Sequence, residues 1–142
     1  IRDRDFTINA MAISVNSKNF GELVDFYGGR NDLKKKVIRI MHDKSFIDDP
    51  TRIFRAVRFS VRFGFRIDPR TRKLIKEAVS QGLVGEVNRG RVKKEIEILL
   101  KEKNPVKCIR ALSNLPFPNP HRNIVPMRVW KKGRGEYEFK VG

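Results

Sequence analysis

The chain has 142 residues, and its 32 Lys and Arg against 16 Asp and Glu give a formal net charge of +16. With 39% hydrophobic and 9% aromatic residues it can build a core despite that charge, which argues against a fully disordered chain. One cysteine, Cys108, and two histidines, His42 and His121, exclude a disulfide scaffold and a Cys/His zinc site, and point to a reducing, cytoplasmic setting.

The nearly apolar run from Ala10 to Val15 is far short of the roughly 20 residues that span a bilayer, so no membrane insertion is expected. The chain opens on Ile1 and runs at once into a charged motif, which reads as part of a longer protein. Its excess charge is spread throughout: +3 over residues 1–40, +5 over 41–80, +4 over 81–114 and +4 over 115–142. A field of that kind attracts polyanions, nucleic acid first and an acidic membrane surface second.

Taken in chain order, the first third mixes α and β signals. Thr7 to Ala12 suggests a helical turn or two, Ile13 to Val15 and Leu23 to Phe26 suggest strands, and Asn31 to Lys36 opens a helix. Val37 to Met41 alternates as a strand does. From Asp48 the period becomes helical and stays so to about Leu115. Asp49-Pro50 and Asp68-Pro69 each place a capping carboxylate before a proline suited to the first helical position, and Gly64 and Gly82 mark where those helices stop. A third helix is predicted over Arg89 to Lys101, burying Val92, Ile96, Leu99 and Leu100, and a fourth over Pro105 to Leu115. Pro116, Pro118 and Pro120 then forbid a helix, and Val125 to Trp130 with Glu136 to Val141 predict a hairpin around a Lys-Lys-Gly-Arg-Gly loop.

On the helix predicted from Pro50, Arg52, Arg55, Arg58 and Arg62 fall within about 120° of one another, while Ile53, Phe54, Ala56, Val57, Val61 and Phe63 cover the other side. No acid lies between Pro50 and Ile67, so these guanidiniums read as uncompensated and as poised for phosphates, which match the guanidinium fork. Asp49 and Arg52, three residues apart, offer an acceptor beside a planar donor. Such a pair could read the edge of cytosine or adenine, whose exocyclic amino groups uracil and guanine replace with a carbonyl. On spacing alone, a capping role for Asp49 suffices. Asp5 and Asn9 stand one helical turn apart, both able to bond a sugar hydroxyl. The Asp3-x-Asp5 pair is a weak metal signal, and Gly28-Gly29 lacks the Lys and Ser/Thr of a phosphate loop.

Together these residues resemble the bacterial-type, class II tRNA nucleotidyltransferases, the CCA-adding enzymes, and the related poly(A) polymerases. Arg4-Asp5-Phe6-Thr7-Ile8-Asn9-Ala10-Met11-Ala12 resembles the ribose-selecting motif, and Asp25-Phe26-Tyr27-Gly28-Gly29 with Asp32-Leu33 resembles the flexible hinge. The stretch from Asp48 to Phe59 is similar to the amino-acid template helix, with Asp48 where glutamate is common. Arg91 and Glu95 are similar to the last motif, which braces the neck helices.

The resemblance implies an α+β chain: the C-terminal part of a nucleotidyltransferase head over residues 1–42, an all-α neck over 43–115, and a non-family, hairpin-like tail over 116–142. It implies that Asp49 and Arg52 pair with incoming CTP or ATP, that Arg4, Arg55 and Arg58 contact the nucleotide, and that Asp5 and Asn9 serve the ribose. Arg62, Arg66, Lys93 and Lys94 would meet RNA, with tRNA as the partner whose 3′ hydroxyl attacks the α-phosphate. Mg²⁺ would be held by carboxylates upstream of Ile1 or on a second chain, leaving this chain inactive alone. The rival expectation is a non-catalytic basic RNA-binding module or the smaller half of a split enzyme.

Overall fold

The computed structural model describes residues 4–117, 127–131 and 137–141. Among the described residues no helix is long and apolar enough to cross a membrane. A 3-10 turn over Thr7–Asn9 leads into β1 (Met11–Ile13), which pairs antiparallel with β2 (Leu23–Asp25), Met11 opposite Asp25. β1 thus starts two residues before the predicted strand, because the helical signal after Thr7 is spent in a single turn. This small ribbon leaves Ile13, Val15, Phe20 and Phe26 exposed.

α1 (Gly29–Lys35) follows, starting two residues before the helix that the sequence suggests. Asp25 accepts from the amides of Gly29 (2.8 Å) and Arg30 (2.9 Å), satisfying two of the donors that a helix start leaves free. Those bonds, the Arg30 amide foremost, hold the Asp25 carboxyl below its ordinary range. β3 is only Val37–Ile38, and it pairs in parallel with β4 (Arg66–Ile67). β4 interrupts the stretch expected to be purely helical, because Gly64 in the left-handed region (φ 67°) turns the chain back along β3. The rest of the predicted strand makes a bridge between Ile40 and Phe6.

The helices are α2 (Ser45–Asp48), α3 (Arg52–Phe63), α4 (Pro69–Ser80), α5 (Leu83–Glu86), α6 (Arg89–Leu100) and α7 (Pro105–Ser113). Asp68 caps α4 as predicted, accepting from the Thr71 amide at 3.1 Å with Pro69 at the first position. Asp49 does not cap in that way. α3 begins at Arg52 rather than Pro50, and its approach is a tight turn in which the amides of Arg52, Ile53 and Phe54 bond the carbonyls three residues before. The short helices α2 and α5 carry too little periodic pattern to predict.

The core gathers Phe6, Ile38, Phe46, Ile53, Phe54, Ala56, Ile75 and Val79, all at most 2% exposed. Phe6 comes from the first segment and packs edge-on against Phe59 of α3, with ring centres 5.8 Å apart. A smaller cluster of Leu99, Cys108 and Ile109 joins α6 to α7. Phe63, predicted to be buried, is 46% exposed and stacks on Phe59 instead. Arg39 bridges the two parts of the fold, reaching Asp32 of α1 at 3.0 Å and Asp68 at 2.8 Å. The predicted hairpin is present as β5 (Met127–Lys131) and β6 (Tyr137–Val141), antiparallel with Val129 opposite Phe139. Its loop and the proline segment from residue 118 lie outside the described residues.

Candidate functional site

The start of α3, the segment at Arg4–Asp5 and the first turns of α6 enclose a cleft of about 360 Å³. Its wall brings together Arg4, Asp5, Asp49, Arg52, Arg55 and Lys94, six of the residues singled out from sequence. The tight turn before α3 places Asp49 there. Its Oδ1 accepts from the Thr51 amide (3.1 Å) and hydroxyl (2.6 Å), and its Oδ2 accepts from Arg91 Nη2 of α6 at 3.0 Å. Burial pushes the Asp49 carboxyl up, but the Thr51 donors and the Arg91 charge outweigh burial and hold it below its ordinary value. A carboxylate has about four acceptor positions, so one on Oδ2 remains open.

Arg52 donates Nη1 to the hydroxyl (2.8 Å) and carbonyl (3.3 Å) of Ser45, on α2. Those two bonds orient the guanidinium, while Nε and Nη2 have no protein acceptor among the described residues. Arg55 donates Nε to Asp5 Oδ2 at 2.6 Å, across 50 residues of sequence. Asp5 is 4% exposed and also accepts from the Phe6 amide and from Asn9 Nδ2, at 3.0 and 3.1 Å. Asn9 therefore reaches the site through Asp5 rather than lining the cleft.

The arginine stripe is compensated, which corrects the sequence expectation. Glu102, in the connection from α6 to α7, accepts from Arg58 Nη1 (3.4 Å) and from Arg62 Nε (2.9 Å) and Nη2 (2.6 Å). The acids come from 40 to 50 residues away, beyond any local accounting of charge along one helix. Of the four arginines only Arg52 lacks a carboxylate among the described residues. Arg58 is 8% exposed, lies 4.6 Å over the Phe59 ring and does not line the cleft. Its Nε is buried without a partner among the described residues. Arg62 stands on Glu102, Arg66 lies in β4 beyond the far end of α3, and Lys93 faces Glu97 at 3.8 Å, so none of these reaches the cleft.

Sequence reasoning missed Thr51, Ser45 and Glu102. Glu102 carries no local signal because its partners are remote, whereas Thr51 could have been found as a residue two beyond an aspartate, the spacing of a side-chain turn. Arg91 was placed as a brace, and it is the residue that pairs with Asp49. Glu95 lines the cleft beside it, with Oε2 buried and without a partner among the described residues.

A pair of divalent ions does not fit these residues. Asp5 has its oxygens on Arg55, Asn9 and the Phe6 amide, Asp3 lies outside the described residues, and among the described residues no group of three His, Cys, Asp or Glu could hold a metal. The cleft sets carboxylate acceptors beside guanidinium and ammonium donors.

The family model of the poly A polymerase head domain matches residues 1–39, and the one described as the probable RNA and SrmB-binding site of polymerase A matches residues 64–116. The A-adding tRNA nucleotidyltransferase of Aquifex aeolicus is 56% identical over 99 residues, covering 70% of this chain and 12% of that protein. The chain spans 12 to 13% of the length of that protein and of its counterpart in Geobacter sulfurreducens. Among solved structures, a CCA-adding enzyme in complex with ATP is 54% identical with a TM-score of 0.78, covering 79% of this chain and 27% of that one. The Thermotoga maritima CCA-adding enzyme complexed with tRNA matches at 54% identity and a TM-score of 0.77, with the same coverage of both chains.

Proposed function

Because this chain belongs to the tRNA nucleotidyltransferase and poly(A) polymerase family, we propose that its cleft selects CTP and ATP for addition to the 3′ end of tRNA, with protein side chains in place of a template strand. The observation that carries this reading is the joint placement of Asp49 and Arg52 in one cleft, each oriented by other residues and each with hydrogen-bonding capacity left over. The open position on Asp49 accepts from the exocyclic amino group of cytosine or adenine, and the free edge of Arg52 donates to the neighbouring ring nitrogen. Uracil and guanine present a carbonyl where the carboxylate needs a donor.

Arg4 and the terminal nitrogens of Arg55 face the phosphates, and Asp5, held by Asn9, serves a ribose hydroxyl. Arg58 supports this arrangement from behind through Phe59 and Glu102. Residues 1–42 act as head, 43–115 as neck and 116–142 as a separate tail, with tRNA reaching the basic neck through Lys94 at the cleft and through Arg62, Arg66 and Lys93 outside it. The metal chemistry of phosphoryl transfer is not assigned to the described residues, so this chain's own contribution is recognition of base, ribose and phosphate.

The test is equilibrium binding of the four ribonucleoside triphosphates to the chain and to Asp49→Ala. CTP and ATP should bind more tightly than UTP and GTP by about 1–3 kcal/mol, the discrimination expected of one well-formed base-edge pair. Asp49→Ala should abolish the difference. Equal binding of all four, with tRNA still bound, would instead favour a basic RNA-binding module.

A further inference from the structure

Arg91 stands between two carboxylates. Its Nη2 donates to Asp49 Oδ2 at 3.0 Å, across 42 residues of sequence. Glu95 lies one turn further along α6, at the i,i+4 spacing that brings side chains on one helix face within about 5–6 Å at their Cβ atoms. Among the described residues no ion pair joins Arg91 to Glu95, and Glu95 Oε2 is buried with no hydrogen-bond partner. A carboxylate oxygen shut away from water without a donor is unfavourable, so its natural complement is a cation within reach. Elsewhere on the cleft wall, Arg52 is tied to Ser45 and Arg55 to Asp5. Lys94 directly precedes Glu95, a spacing at which helical side chains do not face each other. Arg91 shares its face.

Arg91 and a base edge compete for Asp49. Oδ1 is filled by the Thr51 amide and hydroxyl, so a base amino group has only Oδ2, where Arg91 already donates. One acceptor position is open there, and a guanidinium beside it crowds a planar base. The Arg91 side chain is 59% exposed and makes no other ion pair among the described residues, so it is free to turn. A basic residue placed before its acid along a helix is the weaker order of an i,i+4 pair, which fits the position of Arg91 on Asp49 in this structure.

We infer that Glu95 is a positioning residue for base selection: it receives Arg91 when a base edge takes Asp49, so that the guanidinium passes from one carboxylate to the other. The inference rests on the proposed reading of the cleft and adds to it a residue that acts through Arg91 rather than on the nucleotide. Arg91 is paired before and after the exchange, so no charge is left stranded. Uracil and guanine turn a carbonyl toward Asp49 and leave Arg91 in place, so Glu95 widens the margin between the two pairs of nucleotides.

Equilibrium binding of CTP, ATP, UTP and GTP to the full chain, in a double-mutant cycle over Glu95→Gln and Arg91→Met, tests this. Glu95→Gln keeps the shape of the side chain and removes a charge with no partner on one oxygen, so the variant should melt close to the parent. Its preference for CTP and ATP over UTP and GTP should fall by about two- to five-fold, the range of a partly exposed ion pair, through weaker CTP and ATP binding alone. Glu95→Asp, which keeps the charge, should retain more of the preference. With Arg91→Met nothing has to leave Asp49, and Glu95→Gln should then change the preference no further. A preference unmoved by Glu95→Gln in a chain that selects through Asp49 would overturn the inference. So would an equal loss with and without Arg91, which would place Glu95 against the nucleotide itself. A parent that binds all four alike, or whose preference survives Asp49→Ala, overturns the reading of the cleft and this inference with it.

Discussion

Replacing Glu102 with glutamine keeps the shape of the side chain and removes its charge. The Glu102 side chain is 7% exposed, and it faces Arg58, 9% exposed, and Arg62, 45% exposed. Removing one partner of a buried ion pair costs about 3–5 kcal/mol, because the other charge is left uncompensated out of water. Here the half-exposed Arg62 rehydrates, and the Arg58 contact at 3.4 Å is long, so the low end, about 3 kcal/mol at pH 7, is expected. For a chain of this size that corresponds to a fall in Tm of about 10 °C. The Arg62 hydrogen bond, against the opposing effect of burial, holds the Glu102 carboxyl below its ordinary value of 4.5. A depressed carboxylate contributes stability above its unfolded pKa and loses it as pH falls through the folded one. The gap between parent and Glu102→Gln should therefore be full above pH 4.5 and shrink below it. Urea denaturation at several pH values measures this, with Glu77→Gln as a surface control expected within about 0.5 kcal/mol of the parent. A Glu102→Gln penalty below about 0.5 kcal/mol at pH 7, or one independent of pH, would refute the reasoning.

Gly29→Ala sets helix propensity against a clash: alanine gains about 1 kcal/mol inside a helix, but a Cβ at Gly29 would lie 2.2 Å from the Thr7 carbonyl oxygen and 2.9 Å from Met11 Cγ. The clash should win, costing about 2 kcal/mol or more in a denaturant melt, and a variant as stable as the parent would show that α1 shifts freely. Thr51→Val removes the 2.6 Å hydroxyl bond to Asp49 while keeping the amide bond, so the Asp49 pKa measured by NMR should rise and stability at pH 7 should fall by about 1 kcal/mol. An unmoved Asp49 titration would mean that the Thr51 amide and Arg91 suffice to set the carboxylate.

What the sequence made legible follows from the range of the interactions involved. The stops of α3 and α4, the Asp68 cap and the faces of α6 depend on residues within one or two helical turns, and they were read correctly. The Asp49–Arg52 pair was found because its members are three residues apart, and Arg91 was singled out only as a brace, although it meets Asp49 from 42 residues away. Glu102 and the β3–β4 pairing were invisible because each is settled by tertiary packing: a two-residue strand has no periodicity, and a lone glutamate among lysines reads as surface. The same reason explains the error over the arginine stripe. Charge compensation was sought along one helix, and the fold supplies it from Asp5 and Glu102.

The central claim is that Asp49 and Arg52 read the base edge, and a crystal structure of the chain soaked with CTP tests it most directly. The cytosine amino group should lie about 3 Å from Asp49 Oδ2, with the guanidinium of Arg52 at a similar distance from the ring nitrogen. Density for the base elsewhere, with the Arg91–Asp49 and Ser45–Arg52 contacts undisturbed and the cleft empty, would contradict it.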